Sequence, residues 1–285
     1  MRIGSKMGHI ENILTVDVED WYMTTDISRW GEFEDRIVAS TERILSILGD
    51  TKATFFVLGY VAEHHPELIS HIHEAGHELG THGYSHKPIQ SQTPDQFEEE
   101  LLKSMEIIES ITGTKVCGHR ACQASVMKST SWSIDIMEKC GIKYDSSVFP
   151  VRTPLYGVPD APLFPYKISA EKICGGSEGR IYEFPLSVCK LPYKNIPIAG
   201  GFYLRLFPYW FIKSSIKRIN KKGKSAVIYL HPWEIDVGQP KSSEFKWYHY
   251  YNLSAMEPKI KQLLKDFRFT SIRNWLQSDR SMETL

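Results

Sequence analysis

Disulfide chemistry has little material in this sequence. It holds five cysteines, Cys117, Cys122, Cys140, Cys174 and Cys189, an odd number with no Cys-x-x-Cys pair. That argues against a disulfide framework or a thiolate zinc site and predicts reduced thiols, as in a cytoplasm. Long hydrophobic runs are missing too. A membrane span needs about 18 apolar residues, and the nearest approach, Ile196 to Ile212, is interrupted by Arg205 and two prolines. Met1 to Asn12 lacks the apolar core of a secretory leader, and Ile13 to Val18 is broken by Asp17, so the expected location is cytoplasmic. Net charge is the third absence. Lys plus Arg is 34 and Asp plus Glu is 34, so no overall field would gather nucleic acid, and no nucleic-acid partner is expected.

What is present is core-forming material. At 285 residues, 42% apolar and 24% charged, the chain is globular and sits where one large core or two small ones are both open. Asn12 to Val18 and Ala53 to Leu58 read as strands, with Ile37, Ile44, Leu45 and Leu48 at helical spacing between them. Pro66 to Ala75 reads as a helix closed by Gly76, followed by a strand through His77 to Thr81. Thr93 to Ile111 opens with Thr-Pro and an acidic turn and aligns Leu101, Met105 and Ile108 on one face, which predicts another helix. A strand at Val116 to Arg120, a helix at Trp132 to Cys140, and strands at Lys143 to Ser146, Ile181 to Val188 and Ala226 to Leu230 continue the alternation. Alternating elements predict parallel strands, in an open doubly wound sheet or a closed barrel, with reactive groups at the carboxyl ends of strands. Pro150 to Gly179, rich in proline and glycine, breaks the rhythm as a long loop. The tail, Met256 to Leu276, carries Ile260, Leu263, Leu264 and Phe267 in helical register.

Four polar clusters fall where these strands end. Asp17, Glu19 and Asp20 in TVDVEDW are three carboxylates in four positions, which repel unless a cation compensates them or a turn exposes them to water. His82 and His86 in HGYSH are four apart, close enough to reach one ion together; a pair of surface histidines is the plainer alternative. Two imidazoles and one carboxylate would make a facial site with open positions, suited to Zn²⁺ or another first-row divalent ion and to hydrolysis. Arg120 in GHR could keep a carboxylate ionised by charge and bidentate hydrogen bonding. His231 in LHPWE follows an apolar strand and could protonate a leaving group.

In this order the clusters resemble the polysaccharide deacetylase family, the NodB-type catalytic domain also called carbohydrate esterase family 4. Within it the resemblance is to the branch associated with bacterial exopolysaccharide biosynthesis. The motifs stand here as TVDVEDW, THGYSH, GHRACQAS, YEFPLSV, GGFYLRLFP and YLHPWEID, spanning about residues 12 to 275. The resemblance implies an α/β fold, a deformed (β/α) barrel, forming a single catalytic domain over residues 1–285 with a loop-rich insertion at about 150–180. It implies metal-dependent removal of an acetyl group from an N-acetylated amino sugar in exopolysaccharide, O-antigen or capsule biosynthesis. The cofactor would be a divalent metal, Zn²⁺ first, with Co²⁺, Ni²⁺ and Fe²⁺ as alternatives. By matching position, Asp17 would be the general base and His82 and His86 metal ligands. Glu19 is the first choice for the metal carboxylate and Asp20 the second, because Val18 stands where the common motif has a second aspartate. Arg120 would pair with Asp17, and His231 would be the general acid, oriented by Glu183 in EFPLSV. Cys122 stands where family members have proline, which bears on the backbone N–H near Gln123 expected to hold the oxyanion.

The substrate implied is an N-acetylated sugar, nucleotide-sugar or lipid-linked glycan. GGFYLRLFPYWF reads as core packing, with a substrate-facing role for part of it together with Arg205. The run KSSIKRINKKGK reads as a solvated helix face, with peripheral membrane contact as the alternative. Cys122 as a thiol nucleophile is disfavoured. Two competing functions remain on the same fold: a metal-independent cyclic-amide hydrolase, and a catalytically silent carbohydrate-binding protein.

Overall fold

Strand β1 (Glu11–Val18) is buried at every position after Glu11, as a parallel strand covered on both faces must be. The computed structural model describes residues 10–154, 156–176 and 178–278. Most of the stretch read above for a leader, and positions 155 and 177 of the loop-rich segment, lie outside the described residues. Ten further strands are described: β2 (Thr54–Val57), β3 (Glu78–Thr81), β4 (Gly118–His119), β5 (Tyr144–Asp145), β6 (Tyr166–Ile168), β7 (Ile181–Glu183), β8 (Val188–Lys190), β9 (Asn195–Pro197), β10 (Val227–Leu230) and β11 (Arg268–Thr270). Nine of the eleven form one sheet in the order β10-β1-β2-β3-β4-β5-β7-β6, with β11 also on β1. Every pairing in it is parallel except β6 with β7. The remaining two, β8 and β9, make a separate antiparallel ribbon.

The helices are α1 (Ile37–Leu48), α2 (Gly59–His64), α3 (Pro66–Glu74), α4 (Pro94–Thr112), α5 (Trp132–Lys139), α6 (Gly201–Leu206), α7 (Tyr209–Asn220), α8 (Trp247–Tyr250), α9 (Met256–Asp266) and α10 (Ile272–Ser278). Their starts are written locally. Thr93 caps α4 through a reciprocal capping box with Gln96, Pro94 occupies its first turn, and Gly113 ends it at φ 65°. In α7, Ile212, Ile216 and Ile219 face the core while Lys217 and Arg218 are exposed. The basic run is therefore the solvated face of an amphipathic helix.

The sheet curls until its two sides meet. Beyond β7, Ser187 N donates to Val227 O at 3.3 Å and Tyr229 N donates to Ala199 O at 2.8 Å. Gly200 forms a parallel bridge with Tyr229, and a Cβ there would overlap the Tyr229 carbonyl, so only glycine permits this approach. The result is the deformed α/β barrel expected. No helix among the described residues is long and apolar enough to cross a membrane.

Three local readings need correction. The run Ile181 to Val188 is not one strand: it breaks after Glu183 at Phe184-Pro185, where proline has no N–H for the ladder. The loop-rich segment contains β6 and buries Val158, Ala161, Ile168 and Ile173, so it is part of the packing. The tail is not one helix. Phe267 turns extended at φ −137°, ψ 154°, and Arg268–Thr270 pairs with Glu11–Ile13 of β1.

Candidate active site

Parallel pairing lines up the carboxyl ends of β10, β1, β2, β3, β4 and β5, and all of these but β2 are followed by a polar residue. His231 follows β10, Glu19 follows β1, His82 follows β3, Arg120 follows β4 and Ser146 follows β5. With Asp17, one turn of pleat earlier, they line a cavity of about 220 Å³ whose other walls are Phe149, Tyr156, Leu186, Tyr229 and Trp233. Exposed Thr24 and Gln123 stand on its rim.

Glu19, His82 and His86 converge there, each buried, with one donor atom apiece inside a 4.8 Å group. His86 Nε2 lies 2.6 Å and His82 Nε2 4.0 Å from Glu19 Oε2. His82 Nδ1 donates to the Arg120 carbonyl at 2.7 Å, which leaves the Nε2 lone pair toward Glu19, the tautomer a metal ligand needs. Burial holds the His82 imidazole down to about 4, so it is neutral and able to ligate at neutral pH. Burial raises the Glu19 carboxyl, but His86, His231 and His82 outweigh it and hold Glu19 well below its ordinary range. Yet no hydrogen-bond donor is aligned on buried Glu19 Oε2, the condition of an acceptor awaiting a cation. The donor set, two imidazoles and a carboxylate, fits Zn²⁺ or a similar divalent ion.

Asp20 goes elsewhere. Its Oδ1 accepts from Trp21 N at 2.7 Å and its Oδ2 from Arg36 N at 2.6 Å, so it ties the loop after β1 to the start of α1. Burial pushes that carboxyl up to about 7. It is outside the metal-competent group, which corrects the second choice of carboxylate.

Asp17 Oδ1 accepts from Arg120 at 2.8 Å. The guanidinium is fixed by Thr15 Oγ1 at 2.7 Å, the Ser146 carbonyl at 2.8 Å and Ser146 Oγ at 2.7 Å, and lies over the Phe56 ring. His231 faces the same cavity. Its Nε2 is 3.3 Å from Glu19 Oε1 and 3.9 Å from Asp17 Oδ2. Its Nδ1 is 3.0 Å from Glu234 Oε2, and Glu234 Oε1 accepts from Arg205 Nε at 2.8 Å. Burial lowers the His231 imidazole, but Glu19, Glu234 and Asp17 overcome it and push it up to about 9, so it carries a proton at neutral pH.

The expected partner of His231, Glu183, is not beside it. Glu183 ends β7 opposite Asp145 of β5 and accepts from Val148 N at 2.9 Å. Burial and Asp145 drive its carboxyl far up, so it is a protonated partner of Asp145. Asp145 in turn holds His119 Nδ1 at 2.8 Å and Ser147 Oγ at 2.6 Å, and Ser147 Oγ accepts from Ala121 N at 2.7 Å. The residue that does hold His231 was signalled by HPWE itself: Pro232 starts a 3-10 turn that carries Glu234 back under His231. Arg205 is also displaced from its reading. At 2% exposure it does not reach the cavity but buttresses Glu234.

In the third motif, Gln123 and Ala124 line the cavity with φ 54° and 50°, an unusual backbone for residues with a Cβ and a mark of functional loops. The Cys122 thiol is buried and pushed well above its ordinary value, first by burial and then by Glu19 and Glu100; it is no nucleophile.

Residues 20–144 match the polysaccharide deacetylase family profile, and residues 146–277 match one described as a domain of unknown function (DUF3473). Residues 20–144 thus belong to the polysaccharide deacetylase family. The chain is 38% identical over 198 residues to a peptidoglycan deacetylase of Helicobacter pylori, covering 68% of this chain and 60% of that protein. It is 27% identical over 109 residues to a peptidoglycan-N-acetylglucosamine deacetylase of Bacillus cereus, covering 34% of this chain and 40% of that one. The chain thus spans 60% and 40% of the lengths of these two relatives. Among solved structures it is similar to a Mycobacterium smegmatis chain assigned to the polysaccharide deacetylases, at TM-score 0.59 and 20% identity, covering 96% and 93% of the two chains. It is similar to Puue allantoinase at TM-score 0.61 and 15% identity over the same shares. These two likenesses speak for the deformed-barrel fold.

Proposed function

We propose that this chain is a metal-dependent hydrolase that removes the acetyl group from an N-acetylated hexosamine of a bacterial surface glycan, with exopolysaccharide, O-antigen or capsule precursors as its class, and that it works as one catalytic domain. The observation that carries this reading is the convergence of Glu19, His82 and His86 on one buried point, flanked by the Asp17–Arg120 pair and the His231–Glu234 pair. Glu19, His82 and His86 would hold the cation. When bound, it supplies Lewis-acid polarisation of the acetamide carbonyl and acidifies water.

The chain's own groups do the rest. Asp17 accepts a proton from the attacking water, and Arg120 fixes the carboxylate that receives it. The backbone N–H at Gln123 donates to the oxygen that becomes negative as the carbonyl carbon turns tetrahedral. His231, protonated and anchored through Nδ1, gives its Nε2 proton to the sugar nitrogen as the C–N bond breaks, releasing acetate and a free amine. Base and acid carry opposite protonation within one cavity, which neutral hydrolysis of an amide requires.

Metal analysis of the purified protein, joined to acetate release from N-acetylated saccharides, tests this. His82→Ala should lose bound metal and turnover together. Asp17→Asn should keep the metal and lose turnover by about 10²- to 10⁴-fold. Turnover that survives chelation on a cyclic amide would favour the metal-independent reading instead.

A further inference from the structure

Exposed large aromatics are few among the described residues, and three of them fall within five positions of one short segment: Trp247 at 68% exposure, Tyr248 at 42% and Tyr251 at 38%. Leaving such rings in water forgoes the gain of burying them, and clustered apolar surface marks a contact site.

The segment is held from below. Helix α8 has four residues, too short to stand alone, but Arg205 donates to the carbonyls of Tyr248, His249 and Tyr251 at 3.1, 2.9 and 2.7 Å. His249 points inward and stacks on Trp233 at 4.4 Å. The outer rings meet on Phe202, whose centroid is 6.0 Å from Trp247, 5.9 Å from Tyr248 and 6.0 Å from Tyr251. Phe202 touches Tyr203 at 5.9 Å, and the Tyr203 hydroxyl is 3.1 Å from that of Tyr156, which lines the catalytic cavity. An unbroken path of rings therefore leads from the cavity wall to open surface.

We propose that Trp247, Tyr248, Tyr251 and Phe202 form a stacking platform for sugar units flanking the residue in the cavity, so that the ligand is an oligomeric glycan. The apolar C–H faces of pyranose rings lie on aromatic faces as other flat apolar groups do, at a gain worth about two- to tenfold per ring. Continuity with the cavity selects a glycan as occupant, since a chain whose one unit enters the cavity must lay its neighbours along the adjoining wall. This deepens the deacetylase reading and rests on it.

Kinetics and intrinsic fluorescence with the N-acetylglucosamine pentamer and monomer test it. Trp247→Ala should raise KM for the pentamer about two- to tenfold, with kcat and the monomer kcat/KM unchanged, and Trp247→Phe should restore KM. Tyr251→Ala, at a second ring, should act the same way. An unaltered pentamer KM in both alanine variants would overturn the platform while leaving the reaction standing. If neither saccharide releases acetate but the pentamer still quenches Trp247 fluorescence, the platform stands and the reaction falls. Quenching by anionic phospholipid vesicles with none by the pentamer would overturn it in favour of a lipid surface.

Discussion

Three carboxylates crowded into TVDVEDW are kept apart by where each finds its partner. Asp17 takes an arginine, Glu19 two imidazoles, and Asp20 two backbone amides. The same sorting separates Glu234 from Glu183. Glu234 is an ionised neighbour of His231, held below its ordinary range by His231 and Arg205 against the pull of burial; Glu183 is protonated and shared with Asp145. Substitution to glutamine should divide them. Glu234→Gln leaves Glu19 and Asp17 but removes one of the charges that keep His231 protonated, and should cut kcat by at least about tenfold with metal content intact. Glu183→Gln keeps a donor toward Asp145, so kcat should hold and stability should change by no more than about 1 kcal/mol. Urea titration and metal analysis of both variants read the contrast. The grouping of Glu19, His82 and His86 was legible because their motifs fall at or just past the ends of predicted strands. The partner of His231 could be read from HPWE, whose 3-10 turn brings Glu234 back under the imidazole; that Glu183 lies away from it could not, because that depends on which strand lies beside β10, and no periodicity encodes it.

Among the elements, the start of β3 carries a pH dependence. His77 is buried, accepts from Ala53 N at 3.2 Å through Nδ1, and packs 4.8 Å from Phe55. Burial, helped by Lys52, holds its imidazole down to about 4. The unfolded chain takes up the proton near 6.5 while the folded one refuses it. The stabilisation is therefore complete above about 6.5 and is lost as pH falls toward 4, by about 3 kcal/mol over the interval. Melting temperature against pH should fall less steeply for His77→Gln, which retains an acceptor for Ala53. The helices α3 and α4 were legible from Pro, Thr and Gly at their ends. The break at Phe267 was not: its spacing continues the helical register, and only pairing with β1 pulls the chain straight.

Across the whole molecule, β1 is paired on both of its edges by strands from the far end of the chain, since Ile13 meets Val227 of β10 on one side and Thr270 of β11 on the other. β11 pairs with Glu11–Ile13 and β10 with Ile13–Val16. A chain ending at Asp145 would strip β1 of both strands and lack His231, Glu234 and Arg205. It should show no cooperative thermal transition by circular dichroism and no acetate release, whereas separate folding of that piece would contradict a single catalytic domain. Alternating elements made the parallel sheet legible; the closure through Ser187, Ala199 and Gly200 was not, because it joins irregular backbone to β10.

The cavity's two walls come from different stretches of chain. The residues proposed as cation ligands and base arrive before Asp145, and the proposed acid, its buttress and the ring-lined approach arrive after it. On the proposed reading, changes to the outer rings of the later stretch, away from His231 and Glu234, would retune which glycan is accepted without disturbing the ion's grip.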